Sequence, residues 1–311
     1  MLKILVVSPT AIPTPPDGYG GIELLTYYLC IGFREKGCSV TLIASRGSRF
    51  ENLVEAGSEY DAGCKAAEIS REYDVVLDRT HLKTVSLFKT GKPTYSTVYY
   101  TDRAGEGVNI YPSKAVWKAY GGEGYVIYDG IDTSIYESKN REEYFLFLSR
   151  IAPIKGVHIV VDIFKKINLP LKVAGHTGFF SYDRKYIEDV KKKCTGKIEF
   201  IGDISLKDKV ELLSHARALV MLPLWLESSC IVFMEALASG CPIISWDNGS
   251  PREIVKHGET GYIAEKGNIK QVEEYIYRID EIDNGKCIEA SKYFTYSRMV
   301  EDYLKAFTNE Q

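Results

Sequence analysis

Leu146-Phe147-Leu148-Ser149-Arg150-Ile151-Ala152-Pro153-Ile154-Lys155-Gly156 is an apolar strand, a short polar loop and a helix entry in immediate succession. Beyond it Val157, Val160, Val161, Phe164 and Ile167 fall on one helical face. The stretch follows a polar run, Ser138-Lys139-Asn140-Arg141-Glu142-Glu143, so the strand pattern restarts at Tyr144–Leu148 after a natural boundary. The same alternation holds on both sides. Ile4–Val7, Val40–Ala44, Asp74–Leu77, Thr94–Tyr99, Asn109–Tyr111 and Tyr125–Tyr128 precede the boundary as apolar runs of strand length. Leu171–Ala174, Ile198–Ile201, Ala218–Leu222 and Pro242–Trp246 follow it, and Val210, Leu213 and Arg217 mark another helix with a charged opposite face. Strands buried on both faces and alternating with helices predict parallel sheets. The expected fold class is α/β, two doubly wound Rossmann-like domains over residues 1–138 and 139–294 facing a cleft, with ligands at the carboxyl ends of the strands.

Composition narrows the function. With 311 residues, 45% hydrophobic and 26% charged, the chain is long enough for two cores and too apolar for disorder. A formal charge of −3 gives no electrostatic case for nucleic acid. Seven scattered cysteines lack any C-x-x-C spacing and suit a reducing compartment. The opening run Leu2–Val7 is too short for a membrane span or a leader, and Pro9 and Pro13 end it, so a soluble, cytoplasmic protein is expected.

Three stretches offer chemistry. Pro15-Pro16-Asp17-Gly18-Tyr19-Gly20-Gly21-Ile22-Glu23 leads into a helix over about residues 22–36. Its glycines either form a plain turn or let backbone N–H groups approach a phosphate. A dinucleotide fingerprint fails because Glu23 stands where the third glycine belongs, and Ala44-Ser45-Arg46 lacks the ribose-binding acid. In the loop already quoted, Arg150 and Lys155 are either solvated cations or two ends of a clamp on one diphosphate. The third stretch is Trp225-Leu226-Glu227-Ser228-Ser229-Cys230-Ile231-Val232-Phe233-Met234-Glu235-Ala236. Here Ser228-Ser229 reads as a helix start. Glu227 is then a helix N-terminal acid or a hydroxyl acceptor, and Glu235, in an otherwise apolar helix, is salt-bridged or bonded to hydroxyls. Asp78, in Leu77-Asp78-Arg79-Thr80-His81, is an acceptor-side candidate or a helix-start carboxylate. The five histidines and the cysteines show no metal-ligand spacing, so no metal is expected.

In ordered combination these stretches resemble the retaining glycosyltransferases of family four, which have the GT-B fold. The resemblance runs almost end to end. It takes in Gly20-Gly21-Ile22-Glu23, Val126-Ile127-Tyr128-Asp129-Gly130-Ile131-Asp132, the Arg150 and Lys155-Gly156 loop, Val173-Ala174-Gly175 and Phe200-Ile201-Gly202. The Glu227 and Glu235 pair, Asn248-Gly249-Ser250-Pro251-Arg252-Glu253 and Gly258-Glu259-Thr260-Gly261 complete it. The Pro-Pro-x-Gly-Tyr-Gly-Gly-Ile wording is similar to a subgroup that includes an avilamycin-pathway transferase.

The resemblance implies a metal-independent transferase with no cofactor, whose co-substrate is a nucleotide diphosphate sugar. The acceptor would be a sugar, a lipid-linked or another small molecule. Arg150 and Lys155 would hold the diphosphate, Glu227 with Ser228, Ser229, Cys230 and Ile231 would contact the transferred sugar, and Glu235 the ribose. Gly20 and Gly21 would face the diphosphate, Gly202 would line the base pocket, and residues 295–311 would cross back to the first domain. Two departures stand out. Cys230 occupies a position the family fills with glycine, and the thiol-bearing residue has no easy access to positive φ. Tyr99 stands where the family has a donor-facing histidine; its hydroxyl retains hydrogen-bonding ability but is no imidazole. These departures open one alternative, a catalytically weakened nucleotide-sugar-binding protein; a second, from another reaction class, is a nucleotide-sugar epimerase on the same fold.

Overall fold

The structure, a computed structural model, describes residues 1–178 and 184–308. The chain forms two compact units. Unit 1 is Met1–Asp132 with the described chain from Phe294 onward, and unit 2 is Thr133–Tyr293. Residues 309–311 of the expected C-terminal segment lie outside the described residues.

Unit 1 carries seven strands: β1 (Lys3–Val7), β2 (Ser39–Ser45), β3 (Leu53–Ala56), β4 (Val75–Asp78), β5 (Thr94–Thr97), β6 (Val108–Tyr111) and β7 (Tyr125–Val126). Its helices up to the boundary are α1 (Gly21–Glu35), α2 (Glu59–Ile69) and α3 (Lys114–Ala119). The sheet is parallel in the order β3-β2-β1-β4-β5-β6-β7, with Ile4 opposite Val40 on one side and Val75 on the other. Ile4, Leu5, Val6 and Val7 are all fully buried, which is why this strand reads as a continuous apolar run. On α1, Leu25, Leu29 and Phe33 face the core.

Unit 2 repeats the plan with β8 (Phe145–Leu148), β9 (Leu171–Ala174), β10 (Ile198–Gly202), β11 (Ala218–Met221), β12 (Ile243–Trp246) and β13 (Gly261–Ala264). Its helices are α4 (Val157–Ile167), α5 (Arg184–Lys193), α6 (Leu206–His215), α7 (Ile231–Ala238), α8 (Pro251–Ile254), α9 (Ile269–Arg278) and α10 (Asn284–Ser291). The parallel order is β10-β9-β8-β11-β12-β13. The expected apolar face of α4 is buried through Val157, Val160, Val161 and Phe164. Ser205 and Asp208 form a reciprocal capping box at the start of α6, and the helix stops at His215, so Arg217 lies beyond it.

The last helix, α11 (Tyr296–Thr308), belongs to unit 1 and packs along α1. Phe307 meets Phe33 with ring centroids 5.7 Å apart, Tyr296 stacks on Tyr28, and Lys36 pairs with Glu301 at 2.5 Å. Phe33, Tyr303 and Phe307 are all buried, and each such side chain contributes about 1.5–3 kcal/mol of burial, so apolar packing outweighs the exposed ion pair. Among the described residues no helix is long and apolar enough to cross a membrane.

Candidate active site

In unit 2 the strand order reverses between β8 and β11, and a parallel sheet opens a crevice at the carboxyl ends of such a pair. The chain leaving β8 carries Arg150 and then Lys155; the chain leaving β11 carries Trp225 and Glu227. A single turn of 3-10 helix, Pro153–Lys155, places Lys155, and the Leu224 amide donates to the Ile154 carbonyl at 2.8 Å. Gly156 makes this possible. Its φ is +73°, and a Cβ there would stand 1.9 Å from the Leu222 carbonyl oxygen. The loop therefore lies directly against the exit of β11.

Glu227 is fixed through its backbone: its amide donates to the Asn248 carbonyl and its carbonyl accepts from the Ser250 amide, both at 2.9 Å. Asn248 braces the segment by donating from Nδ2 to the Pro223 and Trp225 carbonyls. Glu227 Oε1 accepts from Lys155 Nζ and from Trp225 Nε1, each at 2.5 Å. The ammonium also sits 4.7 Å from the Trp225 ring centroid. Side-chain exposure is 14% for Lys155 and 5% for Glu227, so this ion pair is shielded from solvent.

Eight residues on, Glu235 is equally buried and accepts from the Tyr136 hydroxyl at 2.9 Å and from the Lys209 ammonium. Neither partner is marked by the sequence. Lys209 lies on the face of α6 that reads as solvated, and Tyr136 lies just before the polar run. The expected helix start at Ser228-Ser229 is incorrect. Cys230 precedes α7 in the left-handed conformation, φ 48° and ψ 54°, so the helix begins at Ile231 and Glu235 stands just over one turn in. Cysteine nonetheless adopts the positive-φ conformation it does not reach easily, at a cost of about 1–2 kcal/mol. Burial pushes the Cys230 thiol well above its ordinary range, and the nearby Glu227 charge adds to the effect. The Ser229 hydroxyl is buried and has no hydrogen-bond partner among the described residues. Gly202 ends β10, and its carbonyl accepts from the Gly175 amide at 2.8 Å. Next to it Asp203 accepts from the Thr177 amide and bonds His176 Nδ1, and with the Thr177 hydroxyl these hold its carboxyl below the usual range.

The remaining candidates lie in unit 1. Gly20 caps α1 with φ +150°, where a Cβ would be 2.4 Å from Ile12 Cδ1, and its carbonyl accepts from the Leu24 amide. Gly21 is the first helical residue. Tyr99 is buried, its hydroxyl accepting from Arg79 at 2.8 Å and donating to Asp129 at 3.2 Å. Asp78 is fully buried, accepts from the Thr80 amide and hydroxyl and from the Val85 amide, and is pushed up in pKa by burial. Among the described residues no group of three or more histidine, cysteine or carboxylate side chains is placed to hold a metal.

Two parallel α/β units, one with a buried lysine–glutamate pair at its strand-order reversal, define a GT-B-like architecture. Residues 131–293, just over half of the chain, match the profile of the glycosyl transferases group 1, and the chain belongs to that family. A stretch of 191 residues is 30% identical to the uncharacterized glycosyltransferase MJ1178 of Methanocaldococcus jannaschii, covering 58% of this chain and 52% of that protein. The chain thus spans about half the length of the curated relatives it matches. Among solved structures, AviGT4, a glycosyltransferase involved in avilamycin A biosynthesis, superposes with a TM-score of 0.81 at 22% identity, over 99% of this chain and 98% of its own. Anabaena Alr3699/HepE, solved in complex with UDP-glucose, gives 0.80 at 16% identity over 99% and 100%. At these identities the two structures establish the fold.

Proposed function

We propose that this chain is a retaining glycosyltransferase that takes a sugar from a nucleoside diphosphate sugar and delivers it to an acceptor hydroxyl. One observation carries the reading: Lys155, Trp225 and Glu227 meet at the unit 2 strand-order reversal, with the loop of Arg150 between β8 and that lysine. Departure of a nucleoside diphosphate builds negative charge on its β-phosphate as the sugar becomes oxocarbenium-like. Lys155 and Arg150 supply positive charge there, and the N-terminus of α7 adds the favourable end of a helix dipole. Glu227 shares Lys155 with that phosphate and accepts from sugar hydroxyls. Glu235, oriented by Tyr136 and Lys209, accepts from the ribose. Attack from the face the leaving group departs retains configuration, and a phosphate oxygen takes the acceptor proton. HepE, whose structure contains UDP-glucose, supports a donor of this class for the shared fold. Seven free thiols, four of them buried, support a cytoplasmic location.

The test is a thermal-shift panel of nucleotide sugars. A member present at 100 times its dissociation constant raises stability by ~2.7 kcal/mol. Absence of a shift from every member would overturn the reading. The engagement of the Tyr99 hydroxyl by Arg79 and Asp129 favours a second reading, a nucleotide-sugar binder with weakened transfer. Donor hydrolysis by the purified chain, even slow, argues against that second reading.

A further inference from the structure

Unit 1 has its own strand-order reversal, between β1 and β4, and the function proposed above uses nothing there. The chain leaving β1 reaches Glu23 in the first turn of α1, and the chain leaving β4 reaches His81. Glu23 is 6% exposed. Among the described residues no other side chain forms a hydrogen bond or ion pair with its carboxylate, which relies on its own backbone N–H. Burial raises its pKa; the charges of His81 and Arg79 act against that rise and Glu59 adds to it.

The neighbouring cations are already committed. Arg79 is fully buried and donates to Thr26 at 2.9 Å, Tyr99 at 2.8 Å, Tyr303 at 3.1 Å and Thr97 at 3.3 Å. Lys83, buried too, donates to the Thr80 carbonyl and to Asp102, 3.2 Å away. Glu59 takes the His81 and Leu82 amides on its two oxygens and brings further negative charge. His81 differs. Its Nδ1 is 3.1 Å from Asp102 Oδ1, its side chain is 49% exposed, and Nε2 makes no hydrogen bond among the described residues. Asp102 accepting from Nδ1–H favours the imidazolium and leaves Nε2–H as the donor available to a ligand.

We propose that this end of unit 1 binds an amino sugar or related amino alcohol, its ammonium against Glu23 and a neighbouring hydroxyl accepting from Nε2–H of His81. A buried carboxylate is costly unless a cation or several donors answer it, and with Arg79 and Lys83 committed to other partners a charged amine is a better complement than a neutral hydroxyl. That the ligand serves as acceptor rests on the transferase reading; that it binds does not.

Saturation-transfer NMR on the full chain with UDP present, below neutral pH, compares D-glucosamine with N-acetyl-D-glucosamine, in which the charge is removed. Glucosamine should bind more tightly by about tenfold or more, the size of a charged hydrogen bond. Glu23→Gln should erase the preference, and His81→Gln should weaken both sugars, while UDP remains saturated and reports a folded chain. Equal binding of the two sugars, binding of neither, or a preference that survives Glu23→Gln overturns the proposal. If UDP itself receives no saturation in the wild-type chain, the donor reading fails instead, and the glucosamine comparison is still decided by its own signals.

Discussion

Replacing Lys155 with alanine should damage unit 2 twice, and the two effects can be separated. Glu227 would keep the Trp225 N–H but lose its counter-ion at 5% exposure. Removing one partner of a buried pair costs about 3–5 kcal/mol, and the surviving N–H donor places this case near 3. For a unit of this size that is a fall of about 6–12 °C in Tm. Trp225 and Trp246 lie in unit 2 and Trp117 in unit 1, so tryptophan emission during heating chiefly follows the affected unit. Lys155→Met with Glu227→Gln removes both charges together and should recover most of the loss, because the penalty comes from the stranded carboxylate and not from the missing attraction. Donor turnover behaves otherwise: it should drop ~10²–10³-fold in the single variant and stay low in the double, since either lacks the electrostatic stabiliser. A single variant that melts within about 2 °C of wild type would refute the energetic reasoning. Full turnover would refute the role of Lys155.

Glu235→Ala should weaken donor binding by about tenfold or more while Lys209→Met, which only removes the group orienting that carboxylate, should have the smaller effect. Calorimetric titration with the stabilising nucleotide sugar checks both, and unchanged affinity in the first variant removes the ribose role. The hydrogen bond from Asp102 is the largest influence raising the His81 pKa. A raised folded-state value means this pair adds stability below about pH 6.5 and loses it as pH climbs through the folded pKa. Asp102→Asn should therefore lower the His81 midpoint in an imidazole NMR titration and flatten that part of the pH–Tm profile; an unmoved midpoint counts against the pairing. Gly156→Ala puts a methyl 1.9 Å from the Leu222 carbonyl at φ +73°, so the loop must shift. Loss of both stability and turnover is expected, and wild-type turnover would show that Lys155 does not depend on that close approach.

The strands were legible where a strand is buried on both faces. Ile4–Val7 and Leu171–Ala174 are apolar at nearly every position because helices cover both sides of their sheets, and both form as expected. β3 was not legible: Leu53-Val54-Glu55-Ala56 is half-exposed at a sheet edge, so its sequence carries little of the signal. β13 was hidden differently. Gly261-Tyr262-Ile263-Ala264 is fully buried, but it follows a glycine turn so closely that only the turn stood out. The start of α7 failed for a physical reason. Serine is a favoured helix cap, so Ser228-Ser229 attracts the assignment. The native loop must instead bridge Glu227 to Gly249, a partner far along the chain, and the left-handed turn at Cys230 delays the helix. A local rule cannot anticipate a constraint imposed from that distance.

The chemistry of the site was legible as residue types but not as partnerships. Sequence marked Lys155 for a phosphate and Glu227 for a sugar, because each was weighed against a ligand and neither against the other. Folding brings them within 2.5 Å, and the reason is electrostatic. A lone ammonium at 14% exposure or a lone carboxylate at 5% would each carry a desolvation penalty of several kcal/mol, and together they largely cancel it. The same holds for Glu235, whose cation comes from α6, on a helix face that looked merely solvated. A site for an anionic ligand must bury cations without destabilising the unit that carries them, and pairing each with a carboxylate meets that requirement. On the proposed reading, a diphosphate drawing Lys155 would leave Glu227 less neutralised and better able to accept from hydroxyls beside it. Binding the phosphate and gripping the sugar would, on the same reading, be coupled through this one ion pair, and the Lys155 and Glu227 variants should show non-additive effects on donor affinity.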